Sequence, residues 1–454
     1  MTVSAVMQRL STYIAQAPKE RLPPAVAEKT KHHVLDTVAA MVSGSRLPPG
    51  KKAISYARTR GGNKEACVVA SGIVTTAENA ALANGMLAHA DETDDSHAPS
   101  LTHPGCGIVP AALAMAEREE ANGEALLRAV ALGYDIGCRL TLSLDAYQFR
   151  EDGHSTHSFG PMFGAAAAAA ALARLNERQV RHCLSFAAQQ ASGISCWMRD
   201  EEHIEKAFDF GGMPARNGVA AAAMVAHGFT GVEDALSGER SFFVAYGRKP
   251  DPGKLVAGLG ETYEVMNTNI KRWSVGSPIQ APLDALLILM EESKFGAQEI
   301  ERLTVRVAHQ GANTTNNRTM PDICMQHLCA VMVIDGTVSF KAAHDERRMR
   351  DRQVLKLREK VQLLGDDELT NAMPSRQGIV EIVLRNGTTL RYHMKAVRGT
   401  AENPMTRAEV AAKAYDLIAP VFGRTRARRL CDAVWNLEKL SNVRKLRNLL
   451  KEER

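Results

Sequence analysis

From Val26 to Val42 an apolar or small side chain returns every fourth residue (Val26, Thr30, Val34, Val38, Val42), which lays one stripe along one face of a helix. Pro23-Pro24 opens this stretch and Gly44 follows as its expected C-cap. The same period runs through 78–90, 109–120, 124–144, 163–175, 177–191 and 215–228, so the chain is predicted to be helical to about residue 240. Many of these helices are rich in alanine, whose small side chain lets helix axes approach closely. After about residue 265 the period changes. Leu303, Val305 and Val307 alternate with polar residues, as in a half-buried strand. Segments 378–385 and 388–395 flank Asn386-Gly387, a pair suited to the positive φ of a type I′ hairpin turn. Helical stretches at 323–335 and 345–359 lie between, and helix resumes at 406–421 and 425–451, with Thr425 as the expected N-cap. The fold class expected is mainly α: a large all-helical domain built from both chain ends, 1–265 and 400–454, and a smaller α+β domain over 266–399.

Composition narrows the partners. A net charge of +5 over 454 residues is too dilute for a nucleic-acid surface, and no Lys/Arg stripe with interleaved aromatics occurs. The basic run at Arg424–Arg429 and Arg444–Lys451 reads as a solvated helix face. Eight cysteines without a CxxC pair outline neither a zinc site nor a disulfide framework and suit a reducing compartment. No basic-then-apolar leader opens the sequence and no stretch nears 18 apolar residues. The expectation is a cytoplasmic protein with no membrane and no nucleic-acid partner.

Candidate chemistry concentrates at two places. His89, Asp91, Glu92, Asp94, Asp95, Ser96, His97 and His103 put four carboxylates and three histidines within 15 residues. Packed carboxylates repel, so their pKa values spread, which general acid–base catalysis needs. Helix capping accounts for some of these residues, and a metal site is a third reading, although no defined ligand spacing is matched. His154, Ser155, Thr156, His157 and Ser158 directly precede an alanine-rich helix whose first amides can receive a carboxylate. Lys206 and Lys271 stand beside glycines or aromatics, which implies buried turns. No GxGxxG, GxxxxGK[ST] or GxSxG occurs, against dinucleotide, P-loop and serine-hydrolase chemistry.

In this order the pieces resemble the MmgE/PrpD family, which includes 2-methylcitrate dehydratase, cis-aconitate decarboxylase and iminodisuccinate epimerase. The resemblance rests on Asn84-Gly85 with His89 through Asp95-Ser96, then His103-Pro104-Gly105 with Val109-Pro110-Ala111. It continues through His154-Ser155-Thr156, Lys206 with Gly211 and Asn217-Gly218, and Lys271 with Asp284-Ala285. It spans about residues 25–425 and implies a helical domain, an α+β lid, a homodimer, a site between the domains, and no metal or redox cofactor. Carried over, the catalytic residues are Asp91, Glu92, Ser96, His103, His154, Lys206 and Lys271. Arg272, His157, Gln280 and His327 would bind substrate. Thr93 stands where the family has an aromatic, Gly276 and Gln280 where a cysteine and a histidine are usual, and His327 where a tyrosine is usual. The resemblance implies a cofactor-free acid–base enzyme acting on a small di- or tricarboxylate. A lyase of the dehydratase kind comes first, and an isomerase (epimerase) or a decarboxylase is the alternative. A metal-dependent hydrolase and a non-catalytic carboxylate-binding protein are the readings from other classes.

Overall fold

Small side chains dictate how the helices meet. In a computed structural model describing residues 3–452, the first helices are α1 (Ala5–Gln16), α2 (Pro24–Gly44), α3 (Pro48–Arg58) and α4 (Ala77–Ala88). They are followed by α5 (Pro104–Arg118), α6 (Gly123–Ser143), α7 (Ala146–Glu151), α8 (Thr156–Leu172), α9 (Glu177–Gln190) and α10 (Met213–Ala226). Every residue of α8 is buried, and α5, α6 and α10 pack around it. Glycines set the closest approaches. A Cβ on Gly164 would meet the Gly133 carbonyl oxygen at 2.4 Å, and one on Gly85 would meet that of Gly211 at 2.3 Å. Only hydrogen fits at such crossings.

The chain divides into two units. The first comprises Met1–Ala90, Asp94–Thr268 and Arg407–Arg454; the second comprises Asn269–Thr406 together with the short piece Asp91–Thr93. Apart from a ribbon pairing Ala66–Cys67 with Val74–Thr75, the first unit's regular structure is helical.

The second unit holds α11 (Gln280–Ser293), α12 (Met325–Asp335) and α13 (Arg352–Arg358). Its strands are β1 (Ile300–Ala308), β2 (Val361–Asp366), β3 (Gly378–Leu384) and β4 (Thr389–Met394). They form one sheet in the order β2-β1-β3-β4, with β1 parallel to β2 and the other pairs antiparallel. Leu283, Leu286, Leu303, Val305, Leu328 and Val380 are part of its core. The chain then returns to the first unit in α14 (Arg407–Phe422) and α15 (Arg424–Trp435). There Lys413 on α14 reaches Asp36 on α2 at 2.6 Å, an almost fully buried ion pair.

Several boundaries differ from those the periodicity predicts. Gly44 is the last helical residue of α2 rather than its cap, because its bare Cα lies against the Leu87 carbonyl oxygen, 2.0 Å from where a Cβ would sit. α8 runs from Thr156 through Pro161 to Leu172, where the periodicity predicts 163–175. Gly423, not Thr425, precedes α15, and the predicted 425–451 helix breaks at Asn436 into short turns. The 345–359 helix shrinks to α13, and β2 carries no clean alternation. At the hairpin only Gly387 has a positive φ, +85°. Asn386 Oδ1 instead accepts the Thr388 N–H at 3.0 Å, so a three-residue loop with a glycine bulge replaces the type I′ turn. Among the described residues no helix is long and apolar enough to cross a membrane.

Gly85→Ala should lower the free energy of unfolding by about 1–3 kcal/mol, since the added methyl strikes backbone. Gly72→Ala, with no atom within 4 Å of its Cβ, should change it by less than about 0.5 kcal/mol. Urea titration of both variants checks the contrast.

Candidate active site

The turn after α4 carries two adjacent carboxylates with separate sets of partners. Asp94 Oδ1 receives the Nδ1 atoms of His89, at 3.0 Å, and His103, at 3.1 Å. Asp95 is held by other helices: Tyr134 OH donates to Oδ2 at 2.6 Å, His33 Nδ1 lies 2.7 Å from the same oxygen, and the Gly105 N–H reaches Oδ1 at 2.9 Å. Gly105 must be glycine, because a Cβ there would lie within 2.8 Å of Thr37, Asp95 and Tyr134 side-chain oxygens. Burial alone would raise the Asp94 carboxyl, but His89 and His103 hold it well below the usual carboxylate range. An ionised Asp94 that accepts from both Nδ1–H groups leaves Nε2 of each ring as the atom available to gain or lose a proton.

A π-helical turn, Phe208–Gly212, supplies the ring that organises the imidazoles. His157, in the first turn of α8, stacks on Phe210 at 3.7 Å and 10°; His89 stacks on it at 4.3 Å and 17°. His103 lies 5.1 Å from the His89 ring and 5.2 Å from the His157 ring, and His203 lies 5.1 Å from His89. The Lys206 ammonium sits 5.3 Å from the Phe210 ring centre and 5.4 Å from that of Trp197. Burial, followed by the charges of His103, Arg150, His89 and Lys206, keeps His157 well below the ordinary imidazole pKa. It is therefore a neutral ring, and its Nδ1 is buried without a hydrogen-bond partner. No side chain caps α8, because Ser155 Oγ donates to Asp209 Oδ2 instead. Burial pushes the Asp209 carboxyl up to about 7.

Of the residues singled out by sequence, His103, His157 and Lys206 gather around Phe210. His154 does not join them. It lies ahead of α8 in a bridge to Ile194, and its ring packs on Phe149 at 4.5 Å, with Phe159 and Tyr246 beside it. Ser96 is buried next to Asp95. The remaining candidates belong to the second unit. Lys271 Nζ donates to the Glu92 carbonyl at 2.8 Å and lies 3.4 Å from Glu92 Oε2. Asp91 accepts from the Thr93 amide and hydroxyl and lies 2.8 Å from His344 Nε2. Burial alone would lower His344, but Asp91 beside it raises the ring to about 9, so the two form an ion pair. Arg272 pairs with Asp284 at 3.3 Å and lies over the Trp273 ring. Gln280 departs from the substrate-binding expectation: its amide clamps the Trp273 N–H, the Trp273 carbonyl and the Val275 carbonyl. His327 is fully buried with both ring nitrogens unpartnered, and burial lowers it to about 4.

Sequence reasoning placed Asp94 and His89 in the candidate cluster without giving them a role, and passed over His203, Phe210, Trp197, Asp209 and His344 as site residues. His89 and Asp94 were legible in the dense polar run, whereas Phe210 was signalled only by the glycines beside it. Donor atoms of His89, Asp94 and His103 lie within 4.8 Å of one another, a set a transition metal accepts. The same atoms also satisfy one another as a carboxylate shared by two imidazoles, an arrangement suited to moving protons.

Comparison with known proteins agrees with this composition. The MmgE/PrpD N-terminal domain model matches residues 8–254 and the MmgE/PrpD C-terminal domain model matches residues 273–439. A cis-aconitate decarboxylase-like protein, oryM, from Aspergillus oryzae is 22% identical over 99% of this chain and 98% of its own length. A cis-aconitate decarboxylase from Aspergillus terreus is 22% identical over 98% of this chain and 96% of its own.

Asp209 gives a pH test with a defined sign. Between the unfolded carboxyl pKa of about 4 and the folded value of about 7, the native chain keeps a proton that the unfolded chain has lost. Stability therefore falls as pH rises through that window. Asp209→Asn should remove this slope, gaining on the wild type by on the order of 2–4 kcal/mol between pH 4 and 7. Denaturant titrations at stepped pH check it.

Proposed function

Because the chain belongs to the MmgE/PrpD family, we propose that it is an acid–base enzyme that needs no cofactor and acts on a small di- or tricarboxylate, foremost a lyase eliminating water. The observation that carries this is one ionised carboxylate, Asp94, bonded to two imidazoles beside a third, His157, that is held neutral. Neutral His157 is the base that takes a proton from the carbon next to a carboxylate. Lys206 faces the charge that develops on that carboxylate, and a preorganised donor of this kind is worth about 3–4 kcal/mol in the transition state. His103, carrying the second proton and steadied by Asp94, protonates the leaving hydroxyl, so the C–O bond breaks and water departs. His157 and His103 thus take the proton-exchanging roles that the motif gives to His154 and His103. The resemblance also gives Lys271, Glu92 and Arg272, in the second unit, roles toward a substrate carboxylate.

Loss of CO₂ from the same intermediate is the second reading, favoured by the two decarboxylase-named relatives that match over nearly their whole length. Reprotonation of the intermediate would give the isomerase. We take the working form to be a cytoplasmic homodimer.

Incubating the protein with citrate-like, aconitate-like and succinate-like acids in D₂O and following the NMR spectrum distinguishes elimination, CO₂ loss and deuterium uptake. Turnover of at least one acid is expected; silence with all of them would overturn the proposal. His157→Gln and Asp94→Asn should each lower kcat by about 10²–10⁴. Metal analysis of protein purified without chelator should find less than stoichiometric zinc, iron or manganese, with activity unchanged by EDTA. A stoichiometric, EDTA-sensitive metal would place catalysis on the His89–Asp94–His103 set instead.

A further inference from the structure

We propose that His344 is a positioning residue for substrate binding in the second unit: as an imidazolium it takes up the charge of Asp91, and so keeps the Lys271 ammonium for Glu92 and a substrate carboxylate. The proposal rests on the function given above, and neither the sequence motifs nor that mechanism uses His344.

The piece Asp91–Thr93 belongs to the same unit as Lys271 and His344. Within it the Asp91 side chain bends forward past Glu92. Its Oδ1 accepts the Thr93 amide N–H at 3.0 Å, and its Oδ2 accepts the Thr93 hydroxyl at 2.6 Å. Aspartate favours such side-chain-to-backbone turns, and here the turn fixes Glu92 at its middle. The Glu92 carbonyl receives Lys271 Nζ at 2.8 Å, and Glu92 Oε2 lies 3.4 Å from the same nitrogen. All four residues are buried. Thr93 stands where the family has an aromatic, and a phenyl ring there could not donate to Asp91. The closed turn is thus a feature of this chain.

Two adjacent buried carboxylates need more than one cation. His344 supplies the second. It follows the helical turn Phe340–Ala343, and its Nδ1 is hydrogen-bonded to the Phe340 carbonyl at 2.8 Å. A carbonyl oxygen only accepts, so Nδ1 carries a proton. Nε2 lies 2.8 Å from Asp91 Oδ2. A bare lone pair at that distance would repel the oxygen, so Nε2 carries a proton too, and the ring is a cation on geometry alone. Two carboxylates then face two positive charges. Without His344, Asp91 would lack its counterion one residue from the carbonyl that Lys271 touches, and would draw the ammonium away from a ligand. Arg272 does not stand in, since it pairs with Asp284 at 3.3 Å.

Steady-state kinetics of the full-length protein on citrate and cis-aconitate test the role. His344→Gln should raise KM by about 10–30-fold with kcat little changed. Damage to packing alone would instead lower kcat through loss of folded enzyme and leave KM in place. His344→Lys, which keeps a cation, should recover part of the affinity. The double variant Asp91→Asn with His344→Gln removes both charges and should bind better than His344→Gln alone. NMR of ring-labelled histidine at pH 7 should show a ring protonated on both nitrogens that disappears in His344→Gln. Unchanged KM in folded His344→Gln, a double variant no better than the single one, or a neutral ring at 344 would each overturn this role while leaving the proposed function standing. Should His344→Gln not fold, His344→Lys and the double variant carry the test. No turnover of either acid by the wild type, with none of the other acids converted in D₂O, would overturn both.

Discussion

Two neighbouring aspartates with different partners hold this site together. Asp95 is gripped by Tyr134, His33 and the Gly105 amide, so α2, α5 and α6 fix the backbone of the turn after α4. Asp94, one residue earlier, is thereby placed where His89 and His103 meet on one oxygen. Neither carboxylate would tolerate burial alone, since an unpaired charge in a protein interior costs several kcal/mol. Their hydrogen bonds make the burial acceptable and set the tautomers on which proton transfer depends. Loss of the Asp95 anchor would free the turn before it touched any reacting group.

The aromatic component is equally economical. Phe210 comes from a π-helical turn seated against α4, where Gly85 and Gly211 leave backbone facing backbone. Extra turns of this kind are rare and recur at functional sites. Here the bulge advances one ring between His89 and His157. A flat apolar surface of this sort keeps water off the imidazoles and holds them roughly parallel while adding no charge of its own.

Much of the architecture was legible because it rests on period. The four-residue recurrence in α2 and the alternation in β1 each report which face is buried, and burial is decided largely within the element. Boundaries were harder. The densely packed α8 starts at Thr156 and carries Pro161, well ahead of the predicted start at 163, and Asn386-Gly387 reads as one turn type while a side-chain hydrogen bond selects another. Site chemistry was legible as residue types in dense runs. Geometry was not: His154 fits the motif, but it falls in an extended bridge ahead of α8, and His157, three residues on, is the one rotated onto Phe210. Gln280 shows the converse, a polar residue at a suggestive position whose every bond goes to local backbone. Contacts among segments 50–120 residues apart leave no local trace, which is why Phe210 and Asp209 were missed.

The pair between Asp36 and Lys413 has a kinetic side. Burial pushes Asp36 up to about 6 even with its lysine present, and the lysine is encoded 377 positions later. At synthesis rates of about 5–20 residues per second, roughly 20–75 s separate their emergence from the ribosome. During that interval α2 must leave this side hydrated or keep Asp36 protonated. This face of the helical bundle cannot close until the second unit has been translated, because α14, which carries Lys413, follows it in the chain.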